Sequence, residues 1–240
     1  MIYNLNENNI DSYLRMGDIL AILKRLHYDR SYYNLTDATW YISDSLLVDE
    51  KGQFVQYRKD LIEWLHYNTD YLSLEPGLVD YPHQICITDM LFWWGFSVAP
   101  GLLKINNFQA MKQKICIFPL LTAIYNIERN WSMSLYQSII DSYSTDMFQG
   151  YEKIICIEHD HPTGIDLKDF TISKDFNSNL NHLLDCEYYI GGDTGFSHLA
   201  GALNKPERKK FYYFCRGHHG MWPSYMTVPS NGNGTVIYYD

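Results

Sequence analysis

This 240-residue chain lacks most of the short signatures by which a sequence declares its chemistry. Its five cysteines (Cys86, Cys116, Cys156, Cys186, Cys215) are widely spaced and form no Cys-x-x-Cys pair, which argues against zinc-ribbon and thioredoxin-like chemistry. An odd cysteine count also fits a reducing compartment better than a disulfide framework. There is no Gly-x-x-x-x-Gly-Lys-Ser/Thr run, so a P-loop NTPase is not indicated. No basic stripe offsets the formal net charge of −9, so nucleic acid is not an expected partner. The one basic cluster, Glu207-Arg208-Lys209-Lys210, reads as a solvated loop. No apolar run approaches membrane-spanning length; Met90-Leu91-Phe92-Trp93-Trp94 is too short, so no integral membrane segment is expected. The N-terminus, Met1 to Asn9, is polar and lacks the basic n-region of a signal peptide. Repeats and low-complexity tracts are missing too. These absences predict a soluble, cytoplasmic protein.

What remains is a hydrophobic fraction of 46% and twenty-one tyrosines, enough for one large domain or two small ones. From Lys114 on, strand and helix patterns alternate. Lys114 to Leu120 is a short apolar run ended by Pro119, Ser132 to Tyr143 carries a helical stripe (Met133, Leu135, Tyr136, Ile139, Ile140), and Tyr151 to Ile157 is a second strand. A helix over Leu180 to Leu184, a strand over Tyr188 to Ile190, a helix over Phe196 to Leu203 and a strand over Phe211 to Cys215 follow. Such an order predicts a parallel sheet covered by helices, with ligands at the carboxyl ends of the strands. The tail turns at Pro229 to Thr235 into a last strand, Val236 to Tyr239.

The first half is less regular. Asp18 to His27 reads as a helix, Ala38 to Val48 as holding a strand, Phe54 to Tyr67 as a helix, Gln84 to Ile87 as a strand and Asp89 to Phe96 as an aromatic helix. A polar stretch near Asn106 to Lys112 separates two lobes, placing the domains at 1–110 and 111–240.

The most informative stretch is Gly191-Gly192-Asp193-Thr194-Gly195-Phe196-Ser197-His198-Leu199-Ala200-Gly201-Ala202-Leu203. An apolar approach enters two glycines, whose backbone freedom suits a tight turn, and Asp193 or Thr194 is placed to cap the helix behind it. A strand–turn–helix of this kind leaves unpaired N–H groups at a positive helix end, which suits a diphosphate, with His198 one turn in. On these physical grounds a capped helix with a surface histidine is an equally good reading.

This run resembles the Asp-Thr/Ser-Gly-x-x-His-Leu-Ala-x-Ala-Leu signature of the lipopolysaccharide heptosyltransferase family of glycosyltransferases, and Lys205-Pro206 matches its continuation. The resemblance implies that Asp193, Thr194, Gly195 and His198 contact the diphosphate and sugar of a nucleotide-sugar donor. Arg129, in Asn126-Ile127-Glu128-Arg129-Asn130-Trp131-Ser132, is similar in place to the family's Lys/Arg before Trp-Pro and would neutralise donor phosphate; by itself it reads as a solvated helix-start arginine. Ser132 replaces the family's proline and can cap a helix instead, while Trp131 reads as core. Glu158, past a strand end, is either a ribose-hydroxyl ligand or an exposed loop carboxylate. Met16-Gly17-Asp18-Ile19-Leu20 is similar to the family's N-terminal Gly-Asp-Ile/Val motif, whose aspartate is its proposed catalytic base. Taken alone, Asp18 reads as a helix cap with Gly17 permitting the turn. His159-Asp160-His161 suggests a metal by composition only. With no Asp-x-Asp run either, no metal site and no cofactor are expected.

The implied architecture is α/β and GT-B-like: two Rossmann-like lobes with mainly parallel sheets, shortened. The implied activity is metal-independent, inverting glycosyl transfer from a nucleotide-diphosphate sugar to a glycan or glycolipid acceptor. The alternative is a catalytically silent module that binds nucleotide sugar or glycan; a phosphate-binding α/β enzyme such as a sugar-nucleotide epimerase ranks third.

Overall fold

The computed structural model describes residues 1–87, 103, 111–121, 130–192, 194–203, 209–216 and 234–239. Arg129, Asp193, the helix expected over Asp89 to Phe96, the Lys205-Pro206 pair and the turn expected before the last strand lie outside them. The chain divides into two compact units, Met1–Ile105 with Gly201–Asn204, and Asn106–Ala200 with Lys205–Asp240. Every pairing among the described strands of both sheets is parallel.

In the first unit β1 (Ile2–Leu5) leads through a long loop to α1 (Met16–Tyr32), then β2 (Thr39–Ile42), α2 (Gln56–Asn68), β3 (Leu72–Ser73) and β4 (Val79–Asp80), ordered β3-β2-β1-β4. The apolar face of α1 is Ile19, Leu20, Ile22, Leu23 and Leu26, all fully buried, and Leu5, Trp40 and Ile42 are the buried positions of β1 and β2. Burying such aliphatic side chains contributes on the order of 1.5–3 kcal/mol each.

Two expectations need correction here. The strand preceding α1 is Ile2–Leu5, inside the stretch that reads as polar. Asn4 breaks its apolar pattern, but its amide is used: Oδ1 accepts the Gly77 N–H at 2.7 Å and Nδ2 donates to the Gly77 carbonyl at 3.0 Å. At Gly77 a Cβ would run into the Ile2 carbonyl, so only glycine lets residues 74–78 cross β1 and connect β3 to β4 without a helix. Gln84 to Ile87 is no strand; it makes one parallel bridge, Ile10 to Ile85.

The second unit runs β5 (Lys112–Phe118), α3 (Met133–Tyr143), β6 (Glu152–Cys156), β7 (Thr171–Ser173), α4 (Phe176–Asp185), β8 (Cys186–Gly191), α5 (Gly195–Ala202), β9 (Lys210–Arg216) and β10 (Gly234–Tyr239). The sheet order is β10-β9-β8-β5-β6-β7, a doubly wound Rossmann order whose sequence reverses between β5 and β8. Ile115, Ile117, Ile155 and Ile190 fill the core with Trp131, Tyr136, Ile139 and Ile140 from α3 and its approach. Met133, counted in the helical stripe, is instead exposed. Ser132 caps α3 as expected, its Oγ accepting the Leu135 N–H at 3.1 Å. β7 escapes the sequence pattern because it is a three-residue, half-buried edge strand.

Of the Glu207 to Lys210 cluster, read as a solvated loop, Lys209 and Lys210 are the described residues. Lys209 is buried, donating Nζ to the carbonyls of Leu183 and Leu184 at the end of α4, and Lys210 opens β9. No disulfide joins the five cysteines; Cys116 and Cys156 are buried in strands, and Cys86 is half-buried in a loop.

Candidate functional site

In a doubly wound sheet the crevice for a ligand opens where the strand order reverses, outside the carboxyl ends of the two strands. Here those ends are Phe118 of β5 and Gly191 of β8, which face each other in register. The Gly-Gly-Asp-Thr-Gly turn begins at that point.

The turn is held from both sides. Gly192 N–H donates to the Phe118 carbonyl at 3.1 Å, and Trp131 N–H donates to the Leu120 carbonyl at 2.8 Å. A Cβ on Gly192 would lie 2.7 Å from the Leu120 Cβ and 3.0 Å from Trp131 Nε1. Neither Gly191 nor Gly192 has a positive φ. Their requirement is therefore close packing, not the special backbone conformation the sequence suggested. Trp131 is core, as expected, and is buried against Phe214 and Tyr136.

Thr194 is the cap of α5: its Oγ1 accepts the Ser197 N–H at 3.3 Å, and its carbonyl accepts the His198 N–H at 3.2 Å. The two preceding helix donors, Gly195 N–H and Phe196 N–H, take no hydrogen bond among the described residues. Thr194 and Gly195 are half-buried and Phe196 is buried. Two such amides at a helix N-terminus are suited to anionic oxygens.

His198 is 7% exposed, which removes the surface-histidine reading. Glu158 is exposed two residues beyond β6, the strand beside β5, and so stands on the same carboxyl edge as the turn. In the His159-Asp160-His161 run each member has its own partner. His161 Nε2 meets Tyr136 Oη at 3.0 Å, Asp160 pairs with Lys174 at 2.9 Å, and His159 Nδ1 meets the Asp160 carbonyl at 3.0 Å. Burial pushes the His161 imidazole below its ordinary pKa.

Asp18 lies in the first unit, third in α1 and 3% exposed. Its Oδ2 accepts the Arg15 backbone N–H at 3.0 Å and pairs with the Arg15 Nε at 3.1 Å. The cap therefore closes on Arg15, and α1 starts two residues earlier than expected, at Met16. Gly17 is an ordinary helical residue and permits no turn. Oδ1 of Asp18 carries no hydrogen bond among the described residues. Asp18 and the turn thus occupy separate units.

Sequence reasoning missed two residues beneath the turn. Tyr189 and Ser197 are wholly buried, and their hydroxyls meet at 2.6 Å. Both look like filler: Tyr189 is one of a Tyr-Tyr pair in a strand, and Ser197 stands in an apolar helix. The available signal was strand alternation, which turns Tyr189 inward while Tyr188 is half-buried.

Strand order and the capped helix at the switch point define a Rossmann-type α/β fold. No protein-family model and no curated protein matches the sequence. Among solved structures the chain is similar to the Escherichia coli heptosyltransferase WaaC with ADP, at 14% identity and a TM-score of 0.52, over 100% of this chain and 94% of that one. It also matches a glycosyl transferase family 9 structure from Veillonella parvula, at 11% identity over 99% of this chain and 85% of that one, TM-score 0.45. WaaC with ADP-2-deoxy-2-fluoro heptose matches at 14% identity over 99% of this chain and 93% of that one, TM-score 0.45. At 14% identity the likeness to the first of these is one of fold, and it bears out the GT-B-like α/β architecture that the resemblance implies.

Proposed function

We propose that the protein transfers a sugar from a nucleotide-diphosphate sugar to a hydroxyl of a glycan or glycolipid acceptor, with inversion and without metal or cofactor. The observation that carries this reading is the Thr194-capped α5, whose Gly195 and Phe196 amides take no hydrogen bond among the described residues, at the switch point between β5 and β8. A diphosphate seated there accepts those two N–H groups. Arg129 and Asp193, placed by resemblance, complete the donor site with His198, and Glu158 holds a ribose hydroxyl from the neighbouring strand end. In the reaction the acceptor oxygen forms a bond to the anomeric carbon as the bond to the diphosphate oxygen breaks. Asp18 takes the acceptor proton on Oδ1, the oxygen its cap leaves over, while the helix end and Arg129 stabilise the charge growing on the leaving diphosphate.

A second reading, a silent nucleotide-sugar-binding module, draws support from the burial of Asp18 and its engagement by Arg15. One assay separates them. Incubation with ADP-, GDP-, UDP- and CDP-sugars and a glycan acceptor should release the nucleoside diphosphate in step with acceptor glycosylation. Donor binding without any release establishes the silent module, and binding of none of the four removes both readings.

A further inference from the structure

The backbone of the turn has a second possible face. A phosphate meets amide N–H groups only if the Gly192 carbonyl points away from it; rotated outward, that carbonyl would present negative charge to an anion. The structure fixes it inward by two bonds. Thr194 N–H donates to the Gly192 carbonyl at 2.9 Å, and Ser197 Oγ donates to the same oxygen. Because the single Ser197 hydroxyl proton is spent there, the 2.6 Å contact with Tyr189 has one direction: the Tyr189 O–H donates to Ser197 Oγ. Burial pushes the Tyr189 phenol far above its ordinary pKa, so it stays a neutral donor.

The relay also explains the first glycine. A Cβ on Gly191 would meet the Tyr189 hydroxyl and stand 2.7 Å from Ser197 Oγ, so any larger residue there would part the two hydroxyls.

Resting on the donor site proposed above, we infer that Tyr189 and Ser197 are positioning residues, a buried two-hydroxyl lock that holds the Gly192 carbonyl inward and so sets the affinity of the α5 end for diphosphate. Neither touches the ligand. Both act through the peptide they hold, and because they act in series their effects are coupled.

The test is isothermal titration of ADP, GDP, UDP and CDP into the parent, Tyr189→Phe, Ser197→Ala and the double variant, with the melting temperature of each protein measured without ligand. Tyr189→Phe and Ser197→Ala keep the buried shape, so both fold. Each single change should weaken binding of the preferred nucleotide about tenfold, and the double variant should bind no more weakly than the worse single one. A merely structural role lowers the melting temperature and leaves the dissociation constant unchanged; that result overturns the lock, as do losses that add in the double variant. A parent that binds none of the four nucleotides removes the donor site itself, a failure distinct from a parent that binds with variants that bind equally well.

Discussion

At Asp18 one oxygen is committed to the start of α1 and the other is left over, so the same carboxylate serves as cap and as proposed base. The two duties separate by substitution. Asn keeps an oxygen for the Arg15 N–H but cannot take a proton at neutral pH. Asp18→Asn should therefore lower transfer by about 10²–10⁴-fold while donor affinity stays at the parent value. If Asp18 were a cap alone, the variant would keep its transfer rate. Asp18→Ala would then cost only the cap, about 0.5–2 kcal/mol, read as a lower denaturation midpoint. Arg129 belongs to this scale as well. Arg129→Ala should raise the donor dissociation constant about tenfold with little change in melting temperature, the mark of a charge-assisted contact with phosphate. Equal affinity in variant and parent would return Arg129 to solvent.

Among elements, the joint between β5 and α4 rests on buried charge. Lys114 and Asp185, both almost fully buried, pair at 2.8 Å; Lys112 reaches Asp185 at 2.8 Å, and His182 Nδ1 lies 3.1 Å from Lys114 Nζ. Burial alone would raise the Asp185 carboxyl, but Lys112 and Lys114 outweigh it and hold it below the usual range. Burial, then the Lys114 charge, pushes His182 below its ordinary value. Both groups bind protons more readily when unfolded. Each contribution to stability is thus complete above the unfolded pKa and is lost as pH falls through it toward the folded value. Unfolding free energy should decline in two stages, first from about pH 6.5 as histidines protonate and again from about pH 4 as carboxylates do. Lys114→Met should cost on the order of 3 kcal/mol by leaving Asp185 partly uncompensated, and should remove part of the acid-side stage. Urea midpoints between pH 3 and 8 measure both, and a flat profile would contradict this assignment. None of this network is visible in the sequence, where Lys114 merely opens an apolar run. The strands and helices from β5 onward, β7 apart, were readable because Ile115 to Phe118, Ile154 to Ile157 and Tyr188 to Ile190 are compact apolar runs. β1 was not, because Asn4 is spent on Gly77; β3 and β4, two residues each, are too short to make a pattern. At the site, the Thr194 cap could be read from turn chemistry, whereas the close packing that requires Gly191 and Gly192 and the Tyr189–Ser197 lock depend on contacts no one-dimensional pattern records.

Over the whole molecule the two units share one plan, with strand order reversing after the first strand of each, and they differ in completeness. Among the described residues the second carries six strands of a doubly wound sheet; the first carries four and crosses between its outer strands in residues 74–78. The plan brings β5 and β8 side by side, with the Gly195 and Phe196 amides unbonded among the described residues at their carboxyl edge, and the proposed diphosphate site stands on that arrangement. Its most direct test is titration of ADP into protein labelled with ¹⁵N at glycine and phenylalanine. The Gly195 and Phe196 amide resonances should shift most, and Gly195→Val should abolish the response. Those two resonances standing still while ADP binds, or no binding at all, would contradict it.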